Sequence, residues 1–119
     1  MEIKELVAKA HDNAVKKGFH SLEASIISKI FRNAALTDEE CNAVINAFKS
    51  QQLILLISEV AEAMEALRKN DDENFKEEIA DIAIRIGDLS GNYDIDLSKE
   101  IIKKMEINKN RQYKHGKSF

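Results

Sequence analysis

The chain has 119 residues, enough for one domain with a core and too few for two, and residues 1–119 are taken as that single domain. With 44% apolar and 33% charged residues, no proline and four glycines, its composition is that of a helical protein and excludes a loop-rich or disordered chain. A net charge of −3 with both signs interleaved argues against binding a nucleic acid polymer; the absence of any run of ~18 apolar residues and the acid-bearing start "MEIKELVAKA" predict no membrane association and a cytoplasmic protein; and the lone Cys41 excludes an intrachain disulfide or a cysteine-built zinc cluster.

Apolar residues Ile3, Leu6, Val7, Ala10, Ala14 and Val15 recur at helical spacing and stop before Gly18, a natural C-terminal cap. After "GFH", Ser21 is positioned to cap a second helix carrying Leu22, Ile26, Ile27, Ile30 and Phe31 on one stripe. Thr37 and Glu40 have the spacing of a capping box and start a third run, expected to bend or break near residues 49–52 before the acidic segment that follows. The turn "KNDDEN" lets Asp71 or Asp72 start a fourth helix ending at Gly91, antiparallel to the third. Asp96 caps a fifth through "LSKEIIKKMEINKN", after which residues 111–119 lose the apolar period and form a basic tail. The expected fold is therefore all-α, a bundle of about five helices, since no run alternates with the period of a strand. Helices apolar on more than one face, such as residues 53–67, further imply an oligomer.

Residues three apart share one face of a helix, so Glu59 and Glu62 form one acidic pair and Glu78 and Asp81 another, with Arg85 and Asp88 continuing the second stripe. Leu56, Val60, Ala63 and Leu67 interleave with the first pair, and Ile79, Ile82, Ala83 and Ile86 with the second, so both helices are expected to bury a face beside their carboxylates. Four carboxylates converging at the edge of an apolar core repel one another unless a cation joins them. An all-oxygen donor set matches a hard ion, magnesium or manganese in its place. A di-iron bundle is disfavoured because no Glu-x-x-His occurs, and "DIDLSKEIIKKM" fails as a calcium loop because Lys99 and Met105 stand where glycine and glutamate are needed.

"SEVAEAMEAL", "FKEEIADIAIRIGDLSGNYDIDL" and "KMEINKNRQYKHGKSF" together resemble the MazG-like, all-alpha nucleotide pyrophosphohydrolases, whose signature is E-x-x-E, a variable spacer and E-x-x-D; here the spacer is residues 63–77. The resemblance implies hydrolysis of a nucleoside triphosphate, usually deoxy, to monophosphate and pyrophosphate, in a helical bundle active as a homodimer or a homotetramer. It implies magnesium ligands at Glu59, Glu62, Glu78 and Asp81, with Glu59 or Glu62 as general base. It also implies substrate contacts from Arg85, Lys104 and Asn108 and from tail residues Arg111, Lys114, His115 and Lys117. Where family members commonly carry tryptophan after the first helix, this chain has Phe19 and His20, candidates for the base-recognition surface; core packing is the competing role for Phe19, and a structural role is expected for His11. The alternative function, from another class, is a catalytically inactive helical module that assembles with protein partners through its apolar faces.

Overall fold

The computed structural model describes residues 1–33 and 35–119. It is all-helical: α1 (Ile3–Lys16), α2 (Ser21–Phe31), α3 (Asp38–Arg68), α4 (Asp72–Asn92) and α5 (Leu97–Lys109), followed by a short 3₁₀ segment over Tyr113–Gly116, with no strand among the described residues. No described helix is long and apolar enough to cross a membrane.

Helix ends follow local chemistry. Thr37 Oγ1 accepts from the Glu40 amide while Glu40 Oε1 accepts from the Thr37 amide, both at 3.1 Å, completing the capping box at the start of α3. Asp71 and Asp96 accept from the amides of Asn74 and Lys99 at the starts of α4 and α5. Gly18 turns the chain after α1 with φ of +82°, a left-handed conformation that favours glycine. Ser21 does not cap α2: His20 occupies the cap position and Ser21 Oγ instead donates back to the Gly18 carbonyl at 2.9 Å, closing the turn. Nor does α3 break near residues 49–52. "KSQQ" has neither proline nor glycine, so nothing interrupts the hydrogen-bond ladder, and α3 runs 31 residues without interruption.

Helix α4 lies in the middle, with α1 and α3 against it, α2 resting on α3 and α5 on α1. The α1–α4 crossing is close because its residues are small. Ala10 meets Gly87, Ala14 and Ser90 are buried, and a Cβ on Gly91 would fall 2.5 Å from His11 Cβ. On the other side Ala63 and Ala66 are the buried residues of α3, together with Cys41 near its start.

The faces beside the carboxylates are only partly covered in the single chain: Ala63 is buried and Leu56, Ile82 and Ile86 are half-buried. Val60, Leu67 and Ile79 are each about half exposed, and Ile54 and Ile57 are exposed to 64% and 63%. The reason is topological: α4 covers only one side of α3, and the short α2 touches it at one end, so the rest of its apolar surface has no partner within the chain.

Candidate metal centre and adjoining cavity

The facing stretches of α3 and α4 bring together oxygens from Glu59, Glu78 and Asp81 within 4.8 Å of one another. Glu62, one turn beyond Glu59 and exposed, is not one of these three, but it is near enough for its carboxylate to perturb Glu59 and Glu78. Three of the four acidic residues singled out by spacing therefore share one locus, with the fourth beside it.

Their electrostatics are unequal. Glu78 is only 9% exposed and its Oε2 is buried without a hydrogen-bond partner. Burial, and then the neighbouring charges of Glu62, Glu59 and Asp81, push its carboxyl above the ordinary value. Glu59 is shifted the other way, chiefly because Arg85 Nε donates to its Oε1 at 2.5 Å. Arg85 thus supplies one positive charge to a group of four carboxylates, and the remaining repulsion is carried mainly by Glu78. An orphaned acceptor within an all-oxygen donor set fits a hard divalent cation, and Glu59, Glu62, Glu78 and Asp81 are the residues that would hold it.

A cavity of about 390 Å³ opens beside this group. Glu59, Asp81 and Arg85 line one part of its wall; Asn13, Phe19, Gln51, Gln52, Leu55 and Asp88 are among the residues that line the rest. Phe19 is 75% exposed, so it does not pack in the core as a buried phenylalanine would, and its ring borders the cavity. His20 is buried at 7% exposure and directs Nε2 at Asp88, away from the role of a free surface ligand.

Lys104, Asn108, Arg111, Lys114 and Lys117 do not line this cavity. They sit on the outer part of α5 and on the tail, all exposed, with Arg111, His115 and Lys117 around a separate shallow depression. Lys114 and His115 hold left-handed backbone, φ +53° and +52°, so the tail departs from α5 by a tight turn.

Asn13, Gln51 and Gln52 were not singled out from sequence. A lone amide side chain on a helix carries no chemical signature, and only the tertiary arrangement places these three on the cavity wall. Comparison of the chain with protein-family models, with curated proteins and with solved structures finds no match.

Proposed function

We propose that this protein is a magnesium-dependent nucleoside triphosphate pyrophosphohydrolase of the MazG-like kind, serving nucleotide-pool housekeeping. The observation that carries the proposal is the buried, unpartnered Glu78 Oε2 beside Glu59 and Asp81, two residues that line a cavity able to take a small ligand. The resemblance of "SEVAE", "EEIAD" and "NKNRQYKHGK" to that family supports the same reading.

When bound at the four carboxylates, magnesium supplies charge neutralisation to the triphosphate and acidifies a water. The chain's own residues do the rest. Glu59 or Glu62 accepts the proton of the attacking water, and Arg85 lowers the proton affinity of Glu59. Arg85 spends Nε on Glu59 and keeps its other N–H groups for phosphate oxygens. Phe19 offers an exposed ring face to a base, and Asn13, Gln51 and Gln52 offer amide donors and acceptors to its edge. The basic tail, through Arg111, Lys114 and Lys117, is the element we assign to folding over the triphosphate.

The working form is at least a dimer. Leu53, Ile54, Ile57, Val60 and Met64 form an exposed apolar surface along α3, and a second copy of the chain related by a two-fold axis would bury it against its equal. Sedimentation at micromolar concentration is expected to show a dimer or tetramer; a monomer with full activity would refute this.

Function is tested with a panel of canonical and damaged nucleoside triphosphates and magnesium, scoring products. Monophosphate and pyrophosphate are expected. Diphosphate and phosphate would overturn the reaction class, and no hydrolysis at all, with the apolar surface engaged by another protein, would favour the inactive interaction module.

A further inference from the structure

Two turns along α4 from Asp81, a second cluster stands that the pyrophosphohydrolase reading does not use. His11 Nδ1 lies 3.0 Å from Asp88 Oδ1, and His20 Nε2 lies 2.7 Å from Oδ1 and 2.9 Å from Oδ2 of the same carboxylate. The three residues come from α1, the turn before α2, and α4, so their meeting is a product of tertiary folding rather than of helical spacing. One donor atom from each falls within 4.8 Å of the others.

Behind His20 stands Glu23, itself only 7% exposed, with Oε2 3.7 Å from His20 Nδ1. Glu23 accepts from Tyr93 Oη at 2.9 Å and from Asn92 Nδ2 at 3.2 Å. Burial and this bond push the Tyr93 hydroxyl up to about 12, so it remains a donor.

The hydrogen bonding within this cluster is incomplete. A carboxylate only accepts, so His11 Nδ1 and His20 Nε2 must carry protons toward Asp88. That leaves His20 Nδ1 buried without a hydrogen-bond partner, facing a carboxylate. Moving the His20 proton to Nδ1 reverses the arrangement: Nδ1–H then points at Glu23, and Nε2 offers a lone pair beside Asp88. Closing the 3.7 Å gap to Glu23 by about half an ångström would complete the carboxylate–histidine pairing that orients metal-binding imidazoles. His11, part-exposed, can likewise carry its proton on Nε2 and offer Nδ1.

We propose that His11 Nδ1, His20 Nε2 and Asp88 form a site for a borderline divalent cation of the zinc or cobalt type, with Glu23 orienting His20. Two nitrogens and one carboxylate oxygen select such an ion over magnesium, in contrast to the all-oxygen group on the same helix. Ligand atoms around tetrahedral zinc at ~2.0–2.1 Å stand about 3.3 Å apart, so the two spacings to Asp88, 3.0 and 2.7 Å, would open by about half an ångström or less, and the two imidazole nitrogens already lie within 4.8 Å of each other. Three protein ligands would leave one position open, and one of the three, Asp88, also lines the cavity. Bound there, the ion ties α1 and the start of α2 to α4. The proposal does not depend on the reaction assigned to the acidic group.

The test uses the full chain, titrated with Zn²⁺ by calorimetry and with Co²⁺ by visible absorption, as wild type, Glu62→Gln, His11→Ala and Asp88→Asn. We expect one ion per chain, nitrogen in its coordination sphere by X-ray absorption, a Tm raised by Zn²⁺, and binding retained in excess Mg²⁺ and in Glu62→Gln. His11→Ala, at a part-exposed position, should weaken binding at least about ten-fold with the helical circular dichroism intact; Asp88→Asn should do the same if it folds. Absence of tight Zn²⁺ binding would overturn the site and leave a hydrogen-bonded clamp. So would an ion that His11→Ala retains and Glu62→Gln loses, since it would then sit on the carboxylates.

Discussion

Helix α4 carries two polar clusters of opposite construction. At its first half Glu78 and Asp81 meet Glu59 and Glu62, four like charges with one arginine among them. At its second half Asp88 meets His11 and His20, with Glu23 behind, and most polar atoms have partners. The first group is under electrostatic stress that a proton on Glu78 or a bound cation would relieve; the second is held by directional hydrogen bonds and close packing. A fold tolerates the first kind where a ligand contributes the missing charge, and it builds the second from whatever residues the chain brings near.

The largest effect is expected where stress and function coincide. Glu62→Ala or Asp81→Ala should lower hydrolysis by roughly 100-fold or more, as loss of a metal ligand from a phosphoryl-transfer site does. The same variants should be as stable as the parent without magnesium, or more so, because one repelling charge is gone. Calorimetry and turnover together decide it: wild-type magnesium affinity with normal turnover would refute the site.

Close packing predicts the next effect. In an exposed helix, glycine to alanine is favourable by about 1 kcal/mol. Gly91→Ala should instead destabilise by about 1–3 kcal/mol, because its Cβ would stand 2.5 Å from His11 Cβ and 2.7 Å from Cγ, forcing α1 away from α4. Thermal unfolding should show the Tm falling by several degrees. An unchanged Tm would mean that the second cluster is looser than its contacts show.

The smallest effect is in pH dependence, and its sign differs for two residues of the first cluster. Glu78 is shifted up from 4.5, so above that value the folded, ion-free protein binds its proton more tightly than the unfolded chain does, and stability falls as pH rises through the raised value. Glu59 is shifted down from 4.5, so its contribution is present above that value and is lost as pH falls through the lowered one. Denaturant titrations of the ion-free protein should show Glu78→Gln removing the loss on the alkaline side, and saturating magnesium should remove it too. A Glu78→Gln profile superimposable on the parent's would show that Glu78 carries no strain.

The contrast between the clusters also explains what the sequence revealed. Glu59, Glu62, Glu78 and Asp81 come as i, i+3 pairs, and helical periodicity converts that spacing directly into a shared face. The caps at Thr37, Asp71 and Asp96 were legible for the same reason, because each acts on an amide three residues away. His11 and Asp88 are 77 positions apart, and no local rule links them. Ser21 was misassigned because a serine two or three residues after glycine serves a turn as readily as a helix start. Of the two roles open to Phe19, its 75% exposure fits a surface role and not core packing, which hydrophobicity alone could not decide, and the flanks of α3 are exposed in the single chain.

The uninterrupted course of α3 has a mechanical meaning. At 1.5 Å per residue its 31 residues make a rod of about 46 Å. One end is gripped by α2, the middle presents Gln51, Gln52 and Leu55 to the cavity, and Glu59 and Glu62 follow two turns later. Without a proline, a glycine or any other hinge along it, the rod tilts as one piece. Whatever seats itself against its middle rests on the same helix that carries Glu59 and Glu62, so its fit and the aim of those two carboxylates are linked.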